Sequence, residues 1–287
     1  MNKVMILGAG SCFGTHLAGT LLEHGYRVCG IGRSPKKPDC FSLGIDYPYF
    51  AYHITYEHEY VLEKIARFEP DYIVSFAAQG EGAASWDADN WRFYETNCLG
   101  LVRLVGALNQ RRNFRRFIQI ATSELYGSRS EAAKEDAPIA PTSPYGISKA
   151  AFDLHLKAMW EKLKFPMNIL RPSNGYGEAQ QLYRVIPKAM IYGLTNRKLQ
   201  LHGGGISRKS YLHAQDISHG IMHVFKAPLG EIYNCGQDDS YWMNADKLKA
   251  LGWRQTVDWH DGLERVFQWV KKYPEVLRLP TEFSMRA

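Results

Sequence analysis

Short apolar runs alternate with amphipathic stretches through the first 170 residues, and this alternation narrows the possible folds more than any other feature of the chain. "KVMILGAG" (3–10), "RVCGIGR" (27–33), "DYIVSFAA" (71–78), "RFIQIA" (116–121) and "MNILR" (167–171) read as strands. Between them lie "FGTHLAGTLLEHGY" (13–26), "EYVLEKIARF" (59–68), "NWRFYETNCLGLVRLVGALNQ" (90–110) and "YGISKAAFDLHLKAMWEKLK" (145–164), whose apolar residues recur at helical spacing. Strands separated by helices predict an α/β fold, a Rossmann-type doubly wound parallel sheet with right-handed crossovers and helices on both faces. Ligands of such sheets sit at the carboxyl ends of the strands. Beyond about residue 178 the pattern becomes irregular: a helix over 184–195, a glycine-rich turn over 202–207 and a helix over 216–225. The division expected is therefore a dinucleotide-binding domain over 1–177 and a smaller, abbreviated C-terminal lobe over 178–287, with some of its segments returning to the main domain. The late tryptophans Trp242, Trp253, Trp259 and Trp269 read as core.

Composition excludes several other classes. The longest apolar runs fall well short of the roughly 20 residues a membrane span needs. The N-terminal run is too short for a signal peptide, and glycines interrupt it where a strand would end. Five cysteines are widely scattered without a CxxC pair, which points to a reducing, cytoplasmic setting rather than a disulfide framework or a zinc site. Ten histidines form no HExxH pair, so no metal is expected. A net charge of +6 suits phosphate-bearing ligands. The one dense basic patch, "NQRRNFRR" (109–116), reads as a solvated helix end, so neither nucleic acid nor membrane is an expected partner.

The turn "GAGSCFG" (8–14) follows a strand and opens a helix, the context in which a glycine pattern acquires meaning. Gly8 permits a tight turn and Gly14 a close crossing of helix on sheet. The backbone around Gly10, Ser11, Cys12 and Phe13 offers helix N-terminal N–H groups to a pyrophosphate. At the end of the second strand a carboxylate would accept ribose hydroxyls, but this chain has "GIGRSPKK" (30–37). Arg33 and Ser34, with Lys36 or Lys37, suit a 2′-phosphate, so NADP is expected in preference to NAD. The competing reading is a solvated basic loop.

Two further stretches converge on the same sheet edge. "ATSELYG" (121–127) ends a buried strand on Thr122, Ser123 and Glu124, and "SPYGISK" (143–149) puts Tyr145 and Lys149 one helical turn apart. A free tyrosine, with a pKa near 10, is too weak a base at neutral pH, and a neighbouring ammonium favours its phenolate. The pair can then take the proton of a sugar hydroxyl as a hydride leaves the same carbon.

With these motifs, "SFAAQ" (75–79), "RPSNGYG" (171–177) and "YLHAQD" (211–216) appear in order, and the chain resembles the extended short-chain dehydrogenase/reductases that act on nucleotide sugars. Within that family "LLEHGYRVCGIGR", "AAQ", "TSELYG" and "HAQD" lean toward the GDP-mannose 4,6-dehydratases. The resemblance implies NAD(P), a nucleoside-diphosphate sugar and a homodimer. It implies Ala77, Ala78 and Pro172 beside the cofactor, with Gln79, Asn174 and Arg208 or Lys209 on the substrate; Arg184, from the intervening loop, is added to the substrate side on its charge and place in the chain rather than on the resemblance. It also assigns Tyr145 as base for C4 oxidation, Lys149 as its tuner, Thr122 with Ser123 as hydroxyl ligands, and Glu124 as the base that removes the C5 proton before water leaves C6. A 4-epimerase needs no Glu124, whereas UDP-glucuronate decarboxylases of the family also carry Thr-Ser-Glu. An idle NADP(H)-binding sensor or scaffold would need none of the catalytic set.

Three positions depart from the family pattern. Ser11 replaces the second glycine, close to the expected pyrophosphate. His53 and Ile54 stand where an aspartate usually reads adenine. "EIYNCG" (231–236) is followed almost at once by "ADKLKALGW" (245–253), so a helix usual in the lobe is expected to be missing. Asp216 reads equally as a helix cap. The helix after Tyr145 carries two apolar stripes, Ile147, Ala151, Leu154, Ala158 and Phe152, Leu156, Met159, Leu163; one suits the sheet and the other, with the helix over 90–108, a dimer contact.

Overall fold

The computed structural model describes residues 1–283 apart from 81, 88, 130, 207–208 and 237–242. Strands β1 (Lys3–Leu7), β2 (Arg27–Gly32), β3 (Tyr49–Ala51), β4 (Tyr72–Ser75), β5 (Arg116–Ile120), β6 (Met167–Pro172), β7 (Asn174–Tyr176), β8 (Tyr211–His213) and β9 (Ile232–Cys235) are joined largely by helices. These are α1 (Cys12–Glu23), α2 (Asp39–Ser42), α3 (His58–Phe68), α4 (Trp91–Tyr94), α5 (Leu101–Arg111), α6 (Pro144–Leu163), α7 (Val185–Leu194), α8 (Ala214–Val224), α9 (Asp246–Ala250) and α10 (Trp259–Lys272). The central strands are buried on both faces, which is why they read as continuous apolar runs rather than alternating ones. They form a seven-stranded sheet in the order β3-β2-β1-β4-β5-β6-β9 with every pairing parallel. The sequence reading of a doubly wound α/β fold is what the chain adopts.

One face of the sheet is covered by α3, α5 and α6 through Val61, Leu104, Phe152 and Leu156, the other by α1 and α8 through Leu17, Leu21, Ile217 and Ile221. The chain after residue 178 therefore contributes both a covering helix and an edge strand to the main layer. A separate cluster built on Tyr176, Ile186, Ile191, Val266 and Trp269 holds α7 and α10 together, beside the two-stranded sheet of β7 and β8. The sequence reading placed no helix over 259–272, yet α10 buries Gly262, Val266, Trp269 and Val270 along one face and is capped by Asp258. Trp253 and Trp269 are core and Trp259 is half-buried; Trp242 lies outside the described residues, as does most of the linker in which a helix was expected to be missing.

Local chemistry fixes the elements that frame the site. Ser11 caps α1 and Ser143 caps α6, each accepting a hydrogen bond from the backbone three residues on, and Pro144 supplies the preset first helical residue. The long helix expected over 90–110 is not uniform. It runs as α4, a π-helical stretch (Glu95–Gly100) and then α5, and the widened turn carries Asn97 into the interior.

Candidate active site

The glycine turn is held against β2 by hydrogen bonds from Gly8 and Ala9 N–H to Ile31 O, at 2.8 and 3.0 Å. Gly8 has φ +78°, and a Cβ there would lie 2.8 Å from the Ala77 nitrogen, so the turn presses on the end of β4. A Cβ on Gly14 would stand 2.7 Å from Gly8 O, which is how closely α1 crosses the turn. Ser11 does not project toward a pyrophosphate as its position suggested. Its hydroxyl folds back, donating to Gly8 O at 2.8 Å and accepting from Gly14 N at 3.0 Å. Cys12 and Phe13, the first two helical residues, keep N–H groups with no preceding turn to satisfy them. Their side chains point elsewhere: Cys12 Sγ donates to Glu178 O at 3.2 Å, and the Phe13 ring lies against Gly175 and stacks near Phe76. Around Gly10 the Tyr49 hydroxyl would be 2.9 Å from a Cβ; that hydroxyl donates to Ser34 O at 2.8 Å.

The loop after β4 is where the predicted residues meet. Arg33, from the end of β2, donates to Gln79 Oε1 at 3.3 Å, spanning the end of β1. The expected roles of both residues require that bond to open. Ala77 is half-buried and Ala78 exposed on the same loop. Asn97 binds Gln79 through both backbone groups, accepting from its N–H at 2.7 Å and donating to its carbonyl at 3.0 Å, and also donates to Ser148 Oγ at 2.9 Å. Ser148 Oγ in turn donates to Tyr145 O at 2.7 Å. A Cβ on Gly82 would lie 2.9 Å from Glu124 Oε2, and one on Gly80 would lie 3.8 Å from Arg184 Nη2. Gln79, Gly80 and Gly82 thus gather Arg33, Asn97, Glu124 and Arg184 from four separate segments.

Thr122, buried at the end of β5, accepts from Glu124 N at 3.2 Å and opens the 3-10 turn Ser123–Tyr126 that carries Ser123 and Glu124. Lys149 is fully buried and donates to Ile120 O at 2.8 Å, two residues before Thr122. Burial lowers its pKa to about 8, against the pull of Asp153. Tyr145 is half-buried, with the Phe93 ring edge-on at 6.4 Å.

On the substrate side, Asn174 is tied by both backbone and side-chain nitrogen to Ser210 O, at 3.1 and 3.3 Å. Pro172 closes β6 beside it, and Lys209 is exposed one residue before Ser210. Arg208 lies outside the described residues. Asp216 is wholly buried and accepts from Thr256 N, Thr256 Oγ1 and Val257 N, so it anchors the C-terminal segment and is no ligand. His53 stays at the end of β3, its Nδ1 accepting from Thr55 N at 3.2 Å and its ring stacked on Tyr56. Sequence reasoning missed Asn97; the only signal was a polar residue on the inward face of an otherwise apolar helix.

A model of the NAD dependent epimerase/dehydratase family matches residues 4–236. The human dTDP-D-glucose 4,6-dehydratase is 28% identical over 323 residues, an alignment covering 94% of this chain and 90% of that protein. An Arabidopsis thaliana trifunctional enzyme with UDP-glucose 4,6-dehydratase activity is 28% identical over 71% of this chain, which spans 36% of its length. These relatives are dTDP-glucose and UDP-glucose dehydratases, so whole-chain comparison does not follow the local leaning toward the GDP-mannose enzymes. Among solved structures, dTDP-glucose 4,6-dehydratase from Streptomyces venezuelae, with NAD bound, superposes with a TM-score of 0.87 at 24% identity, covering 95% of this chain and 98% of that one. UDP-glucuronic acid 4-epimerase from Bacillus cereus, in complex with UDP-glucuronic acid and NAD, superposes with a TM-score of 0.84 at 23% identity, covering 94% and 99%. At such identities these two matches speak for the fold.

Proposed function

This chain belongs to the NAD dependent epimerase/dehydratase family of enzymes, and from that premise we propose that it is a nucleotide-sugar 4,6-dehydratase. The observation that carries the reading is the position of Glu124, whose carboxylate borders Gly82, close in the chain to Gln79 and Gly80, which Arg33, Asn97 and Arg184 reach. Glu124 follows the end of β5, the strand to whose last residue, Ile120, Lys149 is fastened through the carbonyl. An epimerase has no step that uses this carboxylate. A dehydratase needs a base for the C5 proton once C4 carries a ketone.

The residues present fit a dinucleotide. Gly8 and Gly14 let the turn and the start of α1 close tightly against backbone, and the α1 N-terminus presents the N–H groups of Cys12 and Phe13. Arg33 and Ser34 at the end of β2, in place of a carboxylate, favour NADP over NAD. When bound, the cofactor supplies hydride acceptance at C4 and hydride return at C6. The protein's own part is proton handling. Tyr145 takes the C4 hydroxyl proton with Lys149 favouring its phenolate, Thr122 and Ser123 orient that hydroxyl, and Glu124 takes the C5 proton and passes it to the C6 hydroxyl, which leaves as water, with a solvent proton restoring C5 afterwards. Asn174, Arg184 and Lys209 hold the sugar diphosphate, with Gln79 near the sugar.

We also propose a homodimer. Phe152, Leu156 and Met159 of α6 are buried in the core, whereas Ile147 is 42% and Leu154 54% exposed, with Leu99 on the π-helical stretch 59% exposed. Leu163, expected with the buried stripe, is instead exposed at the helix end.

Incubation of the purified protein with NADP and a panel of nucleotide sugars, followed by mass spectrometry, tests the activity. Loss of one water is expected. Loss of carbon dioxide would make it a decarboxylase, a product of unchanged mass an epimerase, and tight NADP binding without turnover a sensor.

A further inference from the structure

Asp153 lies one helical turn beyond Lys149 on α6 and is fully buried. Its Oδ2 accepts from Arg171 Nε at 3.2 Å, while its Oδ1 is buried and accepts no hydrogen bond. Each packed element contributes to the surroundings. From β6, Arg171 also donates to Tyr126 OH at 2.8 Å and to Glu135 O at 3.2 Å. The Tyr126 ring, on the 3-10 turn after β5, lies 5.2 Å beneath the guanidinium, and its hydroxyl donates to Asn234 Oδ1 on β9 at 2.7 Å. The Glu135 carboxylate is turned to Asn234 N, 2.8 Å away. Within α6 the remaining titratable neighbours are Lys149 and, a turn before it, Tyr145.

Two cations, Arg171 and Lys149, are therefore enclosed with one carboxylate between them in charge. A dry site that held both cations alone would drive the weaker one to shed its proton, and a lysine does so far more readily than an arginine. Asp153 and Lys149 are not a direct ion pair, so the coupling acts through space across one turn. We infer that Asp153 is a positioning residue for the proposed chemistry: its carboxylate cancels the field of Arg171 and keeps Lys149 an ammonium beside Tyr145. Burial is the largest influence on the Asp153 carboxyl and raises its pKa, while the Arg171 guanidinium, bonded to Oδ2 at 3.2 Å, pulls against that rise and favours the carboxylate. This inference rests on the role given above to Lys149, but its central claim concerns a protonation state and is tested without turnover.

The test follows Lys149 by carbon NMR in the full chain grown with lysine labelled at Cε. Its resonance is the one missing from Lys149→Met. Asp153→Asn should lower the titration midpoint of Lys149 by about one to two pH units, the size expected for a unit charge about one helical turn away in a protein interior. Because that variant strands Arg171, a second variant, Asp153→Glu, keeps a carboxylate for the guanidinium and should leave the midpoint near the wild-type value. In folded protein, an unmoved midpoint in Asp153→Asn, or a midpoint in Asp153→Glu as low as that of Asp153→Asn, overturns the inference and makes Asp153 a structural partner of Arg171 alone. Absence of product from every nucleotide sugar would count against the dehydratase reading and leave this titration unchanged.

Discussion

Glu124 has its carboxylate against Gly82 and its backbone in the 3-10 turn that Thr122 opens. Replacing it with glutamine keeps the shape and removes the base. Glu124→Gln is expected to abolish water loss while C4 oxidation persists, visible as a transient absorbance of reduced cofactor; undiminished elimination would remove Glu124 from the mechanism. Asn97 makes a different kind of contribution. It is wholly buried and satisfies both backbone groups of Gln79, so Asn97→Ala leaves a buried N–H and carbonyl without partners. A loss of about 2–3 kcal/mol is expected in urea unfolding. Thr122, Glu124, Tyr145 and Lys149 were legible in the sequence because hydroxyls and charges at the end of an apolar strand, or one helical turn apart, are conspicuous. Asn97 was not, because its importance lies in a contact 18 residues back and another 51 residues ahead.

At the level of elements, α1 can approach the sheet only because its third residue is a glycine. A Cβ on Gly14 would meet Gly8 O at 2.7 Å and Ala9 Cα at 2.8 Å, and both are backbone atoms that cannot swing aside. Gly14→Ala is expected to lower thermal stability and weaken NADP binding together, measured by calorimetry with and without cofactor; normal affinity would separate the turn from the cofactor. Helix α6 makes the opposite point, since the sequence displayed two apolar stripes without saying which faced inward. The fold buries Phe152, Leu156 and Met159 and leaves Ile147 and Leu154 outside. Ile147→Glu/Leu154→Glu should convert a dimer to a monomer in sedimentation while the monomer stays folded, and a wild-type monomer would refute the contact. The break in the helix over 91–111 and the existence of α10 escaped the sequence reading for related reasons. The π-helical stretch shifts the helical phase over only six residues, too few to break the apolar pattern visibly, and α10 finds its partners in Tyr176 and Cys40, far away in the chain.

Across the whole molecule, the junction between α1 and the small lobe is closed by a half-buried acid between two histidines. Glu178 Oε2 lies 3.0 Å from His213 Nε2 and 3.6 Å from His16 Nε2. His213 Nδ1 accepts from Gln215 N, so the ring proton sits on Nε2 and is donated to Glu178. Burial pushes the Glu178 carboxyl up, but the His213 hydrogen bond and the neighbouring His16 prevail and bring it down to about 2. Its folded value is thus below the unfolded 4.5, so the stability it adds is present above pH 4.5 and lost as pH falls toward 2, at most about 3 kcal/mol. His16, whose pKa is lowered by burial, adds to the same acid-side loss because the unfolded chain takes up its proton first. The advantage of wild type over Glu178→Gln in urea midpoints should therefore shrink between pH 5 and 2, and a constant difference would contradict it. Among the described residues no helix is long and apolar enough to cross a bilayer. By itself the sequence determined the parallel sheet, its glycine turn, the strand end that carries Thr122 and Glu124 and the helix start that carries Tyr145 and Lys149, because hydrophobic periodicity and turn chemistry are local. Only the tertiary structure decided that Ser11 folds into its helix cap, that Arg33 reaches Gln79, and that Asp153, Arg171 and Lys149 share one buried space. Those outcomes depend on distances between segments that the order of residues does not contain.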